Sequence, residues 1–537
     1  MIGRYATWST RYAGLSLLFF VAMILSPLSG AGEPLTFTVE RFAVDGNSLL
    51  EIERIDAKLR QYIGAAKTIE DVEAARAALE QLYHSAGYPA VLVFIPEQTT
   101  ETGVIRLQVV ESRVGRVRIT GNRFFAKEKI MRELPSLSPD ELIYLPAVQA
   151  DLTRANRNPN FKVAPVMMPG REPGTIDVEL KVQDKLPLHG RVELNNRSTS
   201  STSDLRLSAR VSYDNLWQRD HSVALQYQTS PQETDEVKVF VASYSLPAPW
   251  DTDDYLAIYS VVSDSNTVSP VGAGGSAQVI GEGEIYGLRY VVSLPTYEEY
   301  NHNVTFGVDY KNFRETQGDE IQPSVRYLPL SLSYAATLPD AGGVTRFDAG
   351  FNLALRRLVT DQGEFEEKRF RARGNYLYFT AGVERVQKLP FGLSLTGTGQ
   401  GQLANEPLIS NEQYSAGGVD SVRGYPEVTV LGDNAGRLSI ELQGPDLTQI
   451  VGLWDDHLDL HPFLFYDAAR TKTKSPLPGQ DAIEELRGTG AGLRGRLWDG
   501  LQFTVDVARA QARVESASGY VAEPGDMRIH FSALYDF

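Results

Sequence analysis

A two-residue rhythm sustained from Leu188 to Phe537 narrows the folding options more than any other feature of the chain. Leu205-Arg206-Leu207-Ser208-Ala209-Arg210-Val211-Ser212-Tyr213 shows it, and so does Val237-Lys238-Val239-Phe240-Val241-Ala242-Ser243-Tyr244. Successive side chains of a strand point to opposite faces, so the rhythm sets one face in an apolar medium and the other in a polar one. A half-solvated soluble sheet and a membrane barrel both satisfy that condition, and alternation alone does not choose between them.

Counting and punctuation favour the barrel. Strands are predicted near 188–196, 205–213, 221–229, 236–245, 254–264, 282–294, 302–312, 325–336, 344–358, 367–383, 390–402, 436–442, 460–468, 488–498, 500–510 and 527–537. That is sixteen, an even number, with lengths near the roughly 9–11 residues a tilted membrane strand needs. Leu246-Pro247, Leu294-Pro295, Leu338-Pro339 and Leu389-Pro390 recur once per strand pair, where proline, lacking an N–H, marks strand ends on one side. Long connections after the fifth, eleventh, thirteenth and fifteenth strands fall on the other side. The final strand alternates Ile529, Phe531, Ala533, Tyr535 and Phe537 on one face. Left exposed in water it would be an aggregation edge, whereas in a barrel it closes against the first strand.

Composition removes other classes. Across 537 residues, 52 Lys+Arg against 68 Asp+Glu give a formal charge of -16, so no nucleic-acid surface is expected. Cysteine is absent, which excludes disulfides, thiolate nucleophiles and Cys-based zinc sites. No H-E-x-x-H or G-x-S-x-G occurs, so neither an enzyme, a metal site nor a cofactor is expected. Gly490-Ala491-Gly492-Leu493-Arg494-Gly495 fits G-x-G-x-x-G. It lies in an alternating strand with no helix after it, where glycines relieve crowding.

Arg4 and Arg11, the apolar stretch Leu15–Leu25 and the small residues Ser29, Gly30 and Ala31 predict a secretory signal over 1–31. Two modules follow, 35–112 and 113–184, with a repeat near 75 residues. The first reads β-α-α-β-β: an alternating strand Phe37–Val44, helices near 51–63 and 69–86, then strands Val91–Pro96 and Val104–Glu111. The second opens with the strand Val114–Thr120, which ends in Gly121-Asn122 as the opening strand of the first ends in Gly46-Asn47. Helices near 126–134 and 146–156 and strands near 161–168 and 175–183 complete it. This order resembles the POTRA domain, a periplasmic α+β polypeptide-transport module. Asn158-Pro159-Asn160-Phe161, Pro169-Gly170 and Gly174-Thr175 resemble the second such domain of two-partner secretion transporters.

The longest connection, 403–435, contains Val422-Arg423-Gly424-Tyr425, and Phe465-Tyr466-Asp467-Ala468-Ala469 follows. These are similar to the paired signatures of the POTRA-plus-barrel superfamily, V-R-G-Y and F-x-D-x-G. The resemblance implies that the loop folds into the lumen from the extracellular side and that Arg423 pairs with Asp467 beside Phe465. A guanidinium fork on a carboxylate suits that task. Ala469 stands where the family has glycine, so its methyl group could crowd the loop. Two modules and sixteen strands resemble most the haemolysin and filamentous-haemagglutinin transporters of two-partner secretion. That resemblance implies a bacterial outer-membrane pore with its POTRA domains in the periplasm, exporting a β-rich secreted protein without ATP. Its other partners would be outer-membrane lipid and the barrel assembly machinery, which reads the terminal Phe537. The alternatives are an assembly factor of the same superfamily, a passive porin and a barrel hydrolase. With a signal ending at Ala31 there is no room before Phe37 for the N-terminal plug helix that several members carry, which leaves closure to the Arg423 loop.

Overall fold

The computed structural model describes residues 35–264, 282–297, 299–314, 316–317, 320–321, 324–355, 361–451, 457–498, 500–515 and 519–537. The predicted signal, 1–31, lies outside them.

The first N-terminal module comprises β1 (Phe37–Val39), β2 (Arg41–Asp45), α1 (Ile52–Leu59), β3 (Gly64–Lys67), α2 (Ile69–Ser85), β4 (Val91–Phe94) and β5 (Val104–Glu111). Its sheet runs β2-β5-β4, with β1 and β3 as a separate ribbon. The ribbon is a departure from expectation. The Phe37–Val44 strand breaks at Glu40, and Gly64-Ala65-Ala66-Lys67, with no apolar alternation to betray it, pairs back to Phe37 and Val39. Helix α2 starts at a capping box in which Thr68 N–H donates to Asp71 (2.9 Å). It buries Val72, Ala75, Leu79 and Tyr83 against Val91, Val93, Ile105 and Leu107.

The second module repeats the order with β6 (Arg113–Thr120), α3 (Lys127–Glu133), α4 (Leu145–Ala155), β7 (Phe161–Pro169) and β8 (Thr175–Asp184), in a β6-β8-β7 sheet. The repeat reaches individual bonds. Gly46 and Gly121 have φ of +84° and +86°, and a Cβ on either would lie 2.3 or 2.2 Å from a carbonyl oxygen, Val109 O or Val182 O. Only glycine fits such a turn. The next residue, Asn47 or Asn122, donates its amide three residues on, to Leu50 O or Phe125 O. A carboxylate ending the last strand then caps the chain beyond. Glu111 accepts from Ser48 and Leu49 N–H, and Asp184 accepts from Arg123, Phe124 and Phe125 N–H.

From Leu188 on, sixteen strands close into an antiparallel barrel. In order they are Leu188–Asn195, Arg206–Leu216, His221–Thr229, Lys238–Ala248, Asp251–Ser263, Glu282–Ser293, Asn301–Arg314, an eighth broken at Leu328 into Val325–Tyr327 and Pro329–Asp340, Gly343–Ala354, Tyr376–Lys388, Ser394–Ala404, Asn434–Gln443, Leu458–Lys472, Ile483–Leu497, Leu501–Ala510 and Met527–Asp536. Each Leu-Pro pair lies within the last three residues of a strand or directly after one. The tenth strand is shorter than predicted from 367. Gln362–Lys368 is instead helix α5, because Glu364, Glu366, Glu367 and Lys368 surround a single apolar Phe365 that is fully buried. The connection after the ninth strand is therefore another long one. The ninth strand itself ends at Ala354, and 356–358 of its predicted extent fall outside the described residues.

Closure joins Asn195 to Ser532 through Arg191 to Asp536. Phe537 and Gly190 exchange both backbone bonds (3.0 and 2.9 Å), and the Phe537 ring occupies the space a Cβ of Gly190 would need. Outward, Leu225, Phe240, Ile258, Phe306, Leu403, Leu464 and Ile529 are each half exposed or more. Water would not tolerate an apolar belt of this extent, whereas hydrocarbon does.

Candidate functional site

The 405–433 segment folds inside the barrel. A short ribbon, Tyr414–Ala416 with Val430–Gly432, forms its stem, and Val422, Arg423, Gly424 and Tyr425 at its tip are all buried. The wall beneath is set by strand register. Asp467 and Phe465 are inward neighbours on the thirteenth strand, facing Ser439 and Glu441 of the twelfth and Gly488 and Gly490 of the fourteenth.

Arg423 meets Asp467 as a fork, Nε to Oδ2 at 2.7 Å and Nη2 to Oδ1 at 3.0 Å, and its own backbone N–H adds a third bond to Oδ2 (3.2 Å). The remaining nitrogen donates to Glu441 (2.9 Å), and the Ser439 hydroxyl donates to Asp467 (2.6 Å). Asp467 is completely buried, so its charge is balanced by these partners rather than by water. The guanidinium carbon sits 3.4 Å from the centre of the Phe465 ring. That ring, and Phe463 next to it, lie where side chains at Gly490 and Gly492 would otherwise be: a Cβ there would fall 2.5 and 2.4 Å from them. Gly488 likewise makes room for Arg423 O, 2.0 Å from where its Cβ would stand. Gly488, Gly490 and Gly492, on the inward parity of the fourteenth strand, thus form a shelf for the loop and the two rings, whereas Gly495 lies on the other face, against Phe503.

Gly424 N–H donates to His530 on the last strand (3.1 Å), and the Tyr425 hydroxyl accepts from Ala512 N–H (3.1 Å). Val422 and Tyr425 pack with Val430, Leu486, Ala510 and Ala469. The Ala469 methyl group therefore contributes to this cluster without displacing the fork.

Further anchors had no counterpart in the sequence reading. Glu412 on the loop accepts from Lys311 Nζ (2.6 Å), Tyr327 (2.6 Å) and Tyr378 (2.8 Å) on the wall. Asp433, at the loop's return, is forked by Arg369 beyond α5 (2.7 and 2.9 Å) and accepts from Leu408 and Lys474 N–H. Beside them Phe365 of α5 packs with Leu408 and Ile409 against Val239, Val261, Tyr327 and Tyr376. Parity along the twelfth strand could have found Glu441, two residues from Ser439. Nothing in the sequence pairs Glu412 or Asp433.

The second-module motif belongs to turns. Asn158 accepts from Asn160 N–H (2.8 Å) in the turn after α4, which Pro159 occupies, and Pro169, Gly170 and Gly174 form the β7–β8 hairpin, Gly170 N–H bonding Thr175 O (2.9 Å). Phe537 lies in the seam.

A lipid-facing barrel holding an inward arginine loop, preceded by two β-α-α-β-β modules, defines a class: the outer-membrane transporters built from POTRA domains and a barrel. Residues 37–112 match the ShlB-type POTRA domain. Residues 174–495 match the haemolysin secretion/activation proteins ShlB/FhaC/HecB, and the chain belongs to that family. It is 21% identical over 425 residues to the outer membrane transporter CdiB of Dickeya dadantii (73% of this chain, 69% of that one). To the heme/hemopexin transporter protein HuxB of Haemophilus influenzae strain Rd it is 19% identical over 374 residues (68% and 65%). In fold it is similar to CdiB from Escherichia coli, with a TM-score of 0.64 at 18% identity over 96% of this chain and 93% of the other. BamA from Haemophilus ducreyi lacking POTRA domains 1–3 gives 0.57 at 14% identity over 93% and 100%. The protein is an outer-membrane transporter with POTRA domains in the periplasm, and the family is not one of enzymes.

Proposed function

We propose that this transporter takes up an unfolded, β-rich secreted protein through its POTRA domains and passes it through the barrel to the cell surface. Strand addition to a sheet edge suits such a client, because main-chain bonds give affinity with little demand on sequence. The periplasm supplies no ATP, so folding of the client outside, which withdraws the unfolded form by mass action, supplies the direction. The loop around Arg423 closes the lumen at rest and yields during passage. The four-bond hold of Asp467 and Glu441 on Arg423 carries this reading, since a loop so pinned obstructs a chain in transit.

The test is co-expression with the long, repeat-rich reading frame expected beside this one. Surface delivery of that protein should fall sharply with Arg423→Ala or Asp467→Ala while the barrel still assembles. Unchanged delivery would contradict the role of the loop. The likeness of the barrel to BamA favours a second reading, insertion of other outer-membrane proteins. Depletion separates them: loss of one secreted protein supports export, and broad loss of outer-membrane proteins supports insertion.

A further inference from the structure

Each POTRA-type sheet of the N-terminal unit has two edges, and they are not equally available. On β4, the edge strand of the first module, α2 has capped the outward main-chain groups. Val93 N–H donates to Glu80 (3.1 Å), Arg76 donates to Val93 O (3.3 Å), and His84 Nε2 donates to Val91 O (3.1 Å). On β7, the matching edge of the second module, the Asn156 side chain imitates a neighbouring strand. It accepts from Val163 N–H (2.8 Å) and donates to Val163 O (3.1 Å). Counting on by twos from Val163, the positions that face the same way include Pro165 and Pro169, which have no N–H to offer. Both edges are blunted against strand addition.

The opposite edge of the second module differs. The segment 140–142 covers β6 only at its start, through Val114 N–H to Glu141 O (2.8 Å) and Asp140 N–H to Val114 O (2.9 Å). A register shift follows, and from Val117 to Thr120 no side chain or other segment bonds the outer edge among the described residues. Arg116 and Arg118 are exposed on one face there, while Val117 and Ile119 are half-buried on the other. With Arg113, β6 carries three arginines in eight residues of a chain whose net charge is -16. In the first module the equivalent β2 has five residues, one arginine, and ends on Asp45.

We infer that the secreted partner is received on β6, by addition of an extended segment along Val117–Thr120. The segment alternates apolar residues, covering Val117 and Ile119, with acidic ones opposite Arg116 and Arg118. Directly opposed cross-strand pairs of opposite charge favour that register. This rests on the strand-addition reading above and names its edge.

The chain has no cysteine, so single cysteines report position without background. Four full-length variants in lipid nanodiscs, Thr120→Cys on β6, Ala43→Cys on β2, Leu92→Cys on β4 and Met167→Cys on β7, are offered a fluorescein-labelled octapeptide. It alternates valine with aspartate and has one central cysteine. Disulfide capture at position 120 should exceed the other three at least tenfold. Arg116→Glu with Arg118→Glu should weaken the anisotropy-measured affinity at least tenfold and favour a valine–lysine peptide instead. Stronger capture at 43, 92 or 167 would overturn the choice of edge and leave strand addition standing. No anisotropy change with either peptide would overturn both.

Discussion

Arg423 sits among more acid than it can neutralise alone. Asp467 and Glu441 bond it directly, and Arg494 shares Glu441 (3.0 Å). The planar fork is essential to this hold, since three separately directed nitrogens serve two carboxylates while the plane lies on Phe465. An ammonium cannot do all three, so Arg423→Lys should conduct ions in planar bilayers like Arg423→Ala rather than like the natural protein. Under the proposed closure, a second residue on the loop adds pH sensitivity. Burial, with Asp420 beside it, pushes the Glu427 carboxyl up to about 7, and Arg197, Arg528 and the Val419 N–H oppose the shift without cancelling it. With the loop released, Glu427 returns toward its ordinary value of 4.5. The inserted loop thus binds the proton more tightly. That advantage is complete below pH 4.5 and is lost as pH rises through about 7, by up to about tenfold in population per pH unit. Channel opening should accordingly increase from pH 5 to 7.5, and Glu427→Gln should flatten the profile.

Among elements, the strands were legible because each carries its alternation in its own residues, and Gly46-Asn47 with Gly121-Asn122 announced the repeat. The elements that escaped depend on tertiary partners. Gly64–Lys67 is a strand only because Phe37 and Val39 lie opposite, and α5 is two turns with one buried residue. Arg423 and Asp467 were singled out by resemblance, while Glu412 and Asp433 answer to residues as distant in sequence as Lys311 and Arg369. Helix α5 offers its own test. Truncating a fully buried phenylalanine removes about 3–5 kcal/mol of packing. Phe365→Ala should raise bilayer conductance and lower the temperature at which the folded band is lost on semi-native gels. An unchanged melting temperature would show that α5 does not support the lumen.

Under the proposed closure the barrel has two tasks, a wall sealed at the seam and a bore shut by the loop, and the two meet at the seam. The first and last strands share only five ladder pairs, extended by Phe537 with Gly190 and by the Arg191–Asp536 ion pair (2.7 Å). The loop tip reaches both sides of that seam, through Gly424 to His530 and through Glu427 N–H to Ser198 O. Deleting Phe537 should cut the heat-modifiable, folded fraction in outer membranes several-fold, with the unfolded remainder degraded. A full yield of folded protein would contradict its place in closure. The central claim, a bore shut by a pinned loop, is tested most directly by single-channel recording of the full-length protein beside Arg423→Ala. Breaking a buried pair on one side costs about 3–5 kcal/mol, enough to multiply the open population about a hundredfold or more. The account predicts a mostly silent natural channel and a frequently open variant. Equal, constitutive conductance from both would contradict it.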